Sequence, residues 1–189
     1  MGLYDLILRN RSYRRFDQKH RIKKETLTDL VNLARLSASG ANRQPLKFLV
    51  FNSENDCNKI FPSTMWAGYI ENWDGPVQGE RPSAYIIILG DRSVTEGFGV
   101  DHGIAAQSIM LGATEIGLGG CIIGSIKKDD LRKTLKIDDK YAILLILAIG
   151  KPVETVVIEN VINDDIKYWR DDQGVHHVPK RNLDEMVLN

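Results

Sequence analysis

Three guanidinium groups and a hydroxyl gather in Arg11-Ser12-Tyr13-Arg14-Arg15-Phe16, and a turn of small and amide residues follows at Ser39-Gly40-Ala41-Asn42-Arg43-Gln44-Pro45. A further basic pair, Lys180-Arg181, stands almost at the other end of the 189-residue chain. Guanidinium offers phosphate oxygens a two-pronged donor, and hydroxyl, amide and turn N–H groups add neutral donors. A phosphate monoester carries about two negative charges at neutral pH, which a single arginine balances poorly. Arg11 and Arg14 with Lys180 and Arg181 would supply enough. Together these residue types describe a site for a phosphorylated, planar, hydrogen-bonding ligand. On the residues alone a second possibility stays open, because a charge run after a helix is commonly a solvated face.

Other site types are excluded by spacing. Gly117-Leu118-Gly119-Gly120 has Ile122 where G-x-G-x-x-G needs its last glycine, and it follows a predicted helix rather than a strand. There is no G-x-S-x-G elbow and no G-x-x-x-x-G-K-[ST] loop. His20, His102, His176 and His177 have neither i, i+4 pairing nor cysteine companions, so they are expected on the surface or in a hairpin, not on a metal. Cys57 and Cys121 lie outside any C-x-x-C spacing, which argues against a disulfide framework or a zinc site. Cys121 reads as a small buried apolar residue rather than a nucleophile. A formal net charge of zero argues against a nucleic-acid protein acting through its overall field. The start of the chain lacks a signal-like apolar region, and no run approaches the ~18–20 residues that span a bilayer. A cytoplasmic chain without membrane partners is expected.

These residues need elements to hold them. Leu3, Leu6 and Ile7 have the spacing of a short amphipathic helix that delivers the chain to Arg11. Leu27, Leu30, Val31, Ala34 and Ala38 share a face of a longer helix ahead of the Ser39 turn. A strand from Lys47 to Phe51 follows, then a helix with Ser53 as its cap, a loop from Asn72 to Ser83, and a central strand from Ala84 to Leu89. Val100 to Ile116 is apolar nearly all round and rich in small residues, which predicts a buried helix, closely packed against a partner subunit. Buried strands are expected from Gly120 to Ile123 and from Ala142 to Ile149, with a capped helix around Leu131 and Leu135 between them. Tyr168-Trp169-Arg170 and Val175-His176-His177-Val178 flank Asp171-Asp172-Gln173-Gly174 as a hairpin, and a short helix from Leu183 to Leu188 closes the chain. No repeat or linker interrupts residues 1–189, so one domain is expected. Alternating strands and helices would suit a doubly wound parallel sheet, but the hairpin and the central helix favour a mixed one.

The polar segments also resemble the FMN-holding elements of the nitroreductase family. Asn10 to Phe16 is similar to the family's arginine–serine opening, and Ser39 to Pro45 to its Ser-x-x-Asn-x-Gln-Pro segment. Asp101-His102-Gly103-Ile104-Ala105-Ala106-Gln107 resembles its central helix. Gly117 to Gly120 with Ile122, Ile123 and Gly124 resembles its flavin-facing loop, and Pro179-Lys180-Arg181 its basic terminus. Two positions depart from the pattern: Asn10 stands where many members have another arginine, and Leu46 where they have tryptophan.

The resemblance implies an α+β fold with a mixed, largely antiparallel central sheet flanked by helices and a long buried central helix. It implies that Arg11 and Ser12, with Lys180 and Arg181, hold the phosphate and ribityl chain of FMN, and that Arg14 lies toward the pyrimidine edge of the ring and stabilises its reduced form. Ser39, Gly40, Asn42 and Gln44 would reach the same flavin from the second subunit of a homodimer. Ile122, Ile123 and Gly124 would cover the ring, although Ile122 and Ile123 are equally read as sheet core. The implied activity is hydride transfer from NADH or NADPH through flavin N5 to electron-poor acceptors such as nitroaromatics or quinones, with no protein acid, base or metal at its centre. A specialised flavoenzyme, such as a reductive dehalogenase or dehydrogenase, and an FMN-binding module with little turnover are the alternatives.

Overall fold

The computed structural model describes residues 2–188. Its central element is the strand β5, Tyr141–Pro152, which pairs along both edges. On one edge lies β3, Ala84–Asp91, in antiparallel register from Ala84 opposite Ile149 to Asp91 opposite Tyr141. Beyond it runs β2, Leu46–Phe51, also antiparallel. The other edge carries β4, Gly119–Ile123, and then the short β1, Phe16–Asp17. Every ladder of this five-stranded sheet is antiparallel.

Period-two side-chain alternation explains why β3 is apolar on both faces and wholly buried. Tyr85, Ile87 and Leu89 point to one cluster with Cys57 and Ile60 of α3, Glu54–Ile60, and Leu131 of α5, Lys128–Leu135. Ala84, Ile86 and Ile88 point to another with α2, Lys24–Leu36, and α4, Asp101–Glu115. A register shift opposite Ile88/Leu89 adds a residue to β5, which is why Ile143 and Ile146, three apart, serve the same cluster.

The long helix α4 buries Ala105, Ala106, Ile109, Met110 and Ala113 against the Leu27, Leu30 and Ala34 stripe of α2. Close approach is possible because Gly112 lacks a side chain: a Cβ there would lie 2.2 Å from Leu33 Cδ1. Its opposite face is not buried within one chain, since Gly103, Ile104 and Gln107 are exposed. Ser53 caps α3 as expected, its hydroxyl accepting from the Asp56 amide at 3.1 Å. The expected cap of α5 is absent: Lys127 precedes it, and an ammonium side chain cannot accept a hydrogen bond. The loop expected from Asn72 to Ser83 contains no helix or strand.

After β5 the chain forms a smaller sheet. Strand β6, Val156–Asn160, runs parallel to β8, His176–Lys180, and β7, Trp169–Arg170, pairs antiparallel with β8 as the expected hairpin. Asp171 Oδ1 makes the turn by accepting from the amides of Gln173 and Val175 at 2.9 and 2.8 Å. Two short helices stand at the chain ends, α1, Leu3–Arg9, and α6, Leu183–Met186; neither buries a residue. No helix among the described residues is long and apolar enough to cross a membrane.

One glycine ties the sheet to the arginine segment. A Cβ on Gly120 would sit 2.2 Å from the Ala148 carbonyl oxygen and 2.8 Å from Met110 Cε. Backbone cannot yield as a side chain can, so Gly120→Ala forces β4 away from β5. An overpacking cost of about 1–3 kcal/mol, at about 2–4 °C per kcal/mol for a chain of this size, lowers Tm by about 2–12 °C in a calorimetric scan. An unchanged Tm would show that the strand pair accommodates a methyl group.

Candidate functional site

Beyond α1 the chain extends along β4. Ser12 forms a parallel bridge with Gly120, and the Tyr13 amide donates to the Gly120 carbonyl at 2.9 Å. The Tyr13 ring occupies space left by Gly119, where a Cβ would lie 2.6 Å from Tyr13 Cδ2. Its hydroxyl donates to the Arg9 carbonyl at 3.1 Å. Docking against β4 therefore fixes where Arg14 emerges.

Arg14 is 8% exposed and lines a cavity of about 250 Å3 with Cys121, Ile122, Ile123, Gly124 and Ser125 on one side. Met65, Trp66, Ala67, Gly68 and Tyr168 complete its wall. The sheet-core reading holds for Ile123, which is buried; Ile122 is 40% exposed and presents an apolar surface to the cavity. Gly124 is exposed at its rim. Cys121 is buried, and burial pushes its thiol pKa up, as suits an inert core residue.

The Arg14 guanidinium is held on several sides. Nη1 donates to the Ser12 carbonyl at 3.3 Å and to His176 Nε2 at 2.9 Å, and the group lies 4.6 Å from the Tyr168 ring centroid. Its Nε is buried without a partner, as is Nε of Arg11, whose Nη2 donates to the Ile7 carbonyl at 2.6 Å. Buried donors without acceptors are costly, and two of them within four residues mark this segment as built for an acceptor. Arg15 is committed elsewhere, paired with Glu80 through Nε at 2.8 Å and Nη2 at 2.5 Å.

Beneath this segment lies Glu154, with a fully buried side chain. Its Oε1 accepts from the backbone amides of Arg14 and Arg15, and its Oε2 from Arg170 Nη2 at 3.1 Å. Trp73 stacks on the Arg170 guanidinium at 4.9 Å.

The Ser39 turn lies in a different place. Ser39 Oγ donates to Asp101 Oδ2 at 2.6 Å and accepts from the Gln44 amide at 2.9 Å, while the Gly40 amide donates to Asp101 Oδ1 at 2.9 Å. The Ser39 hydroxyl bond, then the Gly40 amide, hold the Asp101 carboxyl below its usual pKa. Ala41, Asn42 and Gln44 adopt φ near +50°, a strained conformation for residues with a side chain. Ser39 and Gln44 line a cavity of about 150 Å3 that shares no residue with the Arg14 cavity. Within one chain the Ser39 turn and the Arg14 segment therefore stand at separate cavities.

Lys180 and Arg181 are not drawn to Arg14 within the chain. His176, at the other end of β8, is the residue that meets Arg14, and four residues of strand place Lys180 about 13 Å further along. Arg181 is paired with Asp164 at 2.8 Å and Glu185 at 3.5 Å.

His176 stands in the hairpin, as expected, and is only 1% exposed. Burial first, then Arg14, Arg170 and His177, push its pKa down to about 4. A histidine that stays neutral in the fold and titrates near 6.5 when unfolded binds more protons unfolded between those values. Its contribution to stability is full above about pH 6.5 and is lost toward pH 4. His177, held between Glu159 and Asp171, has a raised pKa and acts in the opposite sense. Wild-type protein is therefore expected to lose more stability than His176→Gln between pH 7 and pH 4.5, as read from urea unfolding; parallel losses would contradict this.

Sequence reasoning missed Glu154, Arg170, Tyr168 and His176 as supports of Arg14, and Asp101 as the anchor of the Ser39 turn. No local pattern marks the first four, which lie at least 140 residues beyond Arg14.

The chain is 24% identical over 189 residues to "Putative NAD(P)H nitroreductase YodC" of Bacillus subtilis, covering 79% of this chain and 89% of that protein. An Exiguobacterium sibiricum protein solved in complex with FMN superposes with a TM-score of 0.68 at 23% identity, covering 81% of this chain and 89% of that one. A Streptococcus pneumoniae nitroreductase family protein matches across 100% of both chains with a TM-score of 0.70 at 14% identity. The profile of the nitroreductase family matches residues 7–151, which include β1 through nearly all of β5 and both the arginine segment and the Ser39 turn, and the chain belongs to that family.

Proposed function

We propose that this protein is an FMN-dependent oxidoreductase that draws hydride from NADH or NADPH and passes it to electron-poor acceptors such as nitroaromatics or quinones. The observation that carries the reading is Arg14, a largely buried arginine that lines a cavity together with the apolar Ile122. That combination fits a planar, hydrogen-bonding ring. Arg11 with its own unpartnered Nε, and the exposed Ser12, suit a phosphate and ribityl chain. The named relatives, and the FMN in the Exiguobacterium protein, point the same way.

When bound, FMN supplies the two-electron chemistry, accepting and releasing hydride. The chain's part is to bind and tune. Arg14 places a fixed cation where negative charge develops on reduction. Ile122 excludes water from one side of the cavity, and Arg11 and Ser12 hold the phosphate end. Gly124 allows ring contact with main chain, and buried Ile123 supports it from the sheet. Lys180 and Arg181 would add positive charge toward the phosphate end.

We propose a homodimer for the same site. The separation of the Ser39 turn from the Arg14 cavity supports it, since Ser39, Gly40, Asn42 and Gln44 could then approach the flavin of the other chain. Exposed apolar side chains support it too, with Tyr4 75% and Leu183 73% exposed besides Ile104 on α4. Removing such surfaces from water at ~25 cal/mol per Å2 favours association once the area is large. Two buried cysteines with no disulfide suit a reducing, cytoplasmic setting.

The test begins with the visible spectrum of purified protein and titration with FMN by fluorescence. It continues with NADH and NADPH oxidation in the presence of menadione or a nitroaromatic, and with light scattering of the loaded protein. A flavin spectrum, turnover with both acceptors and a dimer mass are expected. A colourless protein with no saturable FMN response overturns the reading; binding without turnover leaves a flavin-binding module; a loaded monomer removes the shared site.

A further inference from the structure

Arg14 has five N–H donors and no acceptor. Its 2.9 Å contact with His176 Nε2 is therefore a hydrogen bond only if that nitrogen carries a lone pair. The ring proton must then reside on Nδ1, which is buried and has no partner. With the other tautomer, or with imidazolium, two N–H groups would oppose each other inside the protein. Neutrality is favoured independently by burial and by the nearby cations of Arg14 and Arg170.

The bond has a directional consequence. His176 Nε2 and the Ser12 carbonyl together occupy the two hydrogens of Arg14 Nη1. The Tyr168 ring at 4.6 Å covers one face of the guanidinium and also lies 5.3 Å from the His176 ring. A planar group held by one nitrogen and one face is set in direction. Glu154 fixes the backbone from which the side chain departs.

We propose that His176 is the positioning residue for Arg14: as a neutral Nδ1–H imidazole it accepts from Nη1 and so fixes the orientation in which the guanidinium stands on the cavity wall beside the flavin ring. This rests on the flavin reading given above. It extends that reading from the groups lining the cavity to a residue behind them, which touches neither cofactor nor substrate. Replacing the acceptor by an apolar ring should free the guanidinium to rotate, while Arg11 and Ser12 keep their own places.

Two measurements test it. Nitrogen-15 NMR of the flavin-free protein at pH 7 reports the His176 tautomer; a proton on Nδ1 with Nε2 accepting is expected, and a protonated Nε2 overturns the proposal. His176→Phe and His176→Gln are then compared for affinity toward oxidised FMN and for the midpoint potential of the bound flavin. The phenylalanine variant should lose about tenfold in its preference for reduced over oxidised FMN, about 30 mV on a two-electron couple. Glutamine, whose amide oxygen can accept from Nη1, should restore most of it. A wild-type potential in the phenylalanine variant, or equal shifts in both variants, overturns the positioning role. Absence of FMN binding by wild-type protein overturns the functional reading instead, and the tautomer measurement then decides the His176–Arg14 bond by itself.

Discussion

Glu154→Ala is expected to lower Tm by about 6–20 °C. The carboxylate side chain is fully buried and accepts from two backbone amides and from Arg170. Alanine leaves those donors in place with nothing to receive them, and leaves the Arg170 guanidinium, itself largely buried, without its counter-charge. Breaking a buried pair from one side costs about 3–5 kcal/mol, and a chain of this length loses about 2–4 °C per kcal/mol. Glutamine separates the contributions. Its amide oxygen can still receive the Arg14 and Arg15 amides, but it offers Arg170 no charge, so its Tm should fall between those of wild type and alanine. Calorimetry of the three proteins checks the order. Three equal melting temperatures would mean that water replaces the carboxylate without cost.

Arg11→Ala and Arg14→Ala should fail in different ways. Phosphate is anionic whatever the redox state of the ring, so losing Arg11 weakens FMN binding generally. The loss of one charge-assisted hydrogen bond, about 1.5–3 kcal/mol, corresponds to about ten- to a hundredfold in affinity, and added FMN should restore turnover. The ring gains negative charge only on reduction, so losing Arg14 disfavours the reduced form selectively. A lower midpoint potential and slower hydride acceptance at saturating FMN are expected. Equal losses of affinity with both potentials at the wild-type value would reduce Arg14 to another phosphate or ribityl contact.

The elements were legible where periodicity is strong. Ala84 to Leu89 reads as a strand buried on two faces because every residue of the run is apolar, and β3 is that strand. The Leu27, Leu30 and Ala34 stripe and the Asp171–Gly174 turn are likewise local signals with local outcomes. Arg14 is a candidate in the sequence because the guanidinium run carries Ser12 and resembles a family motif; as a charge run alone it would read as a solvated face. Its supports were not, since Glu154 and His176 acquire their roles only through contacts across 140 and 162 residues of sequence. His176 in particular sits in a strand beside a second histidine, with nothing local to say which of the two turns inward. The bulge in β5 was also invisible, because Leu144 and Leu145 look like any other pair in an apolar run.

The 162-residue span between Arg14 and His176 has a meaning for the chain as it is made. At roughly 5–20 residues per second, about 8–30 s separate the synthesis of the two residues. Throughout that interval Arg14 has been made and can reach the Ser12 carbonyl, yet its His176 acceptor does not exist. The sheet around β3 can collapse meanwhile, but the guanidinium must remain solvated until β8 arrives. The small C-terminal sheet is thus the closing step of biogenesis for this pocket, and a ribosome stalled before residue 176 would hold a chain with most of its core and no ordered Arg14.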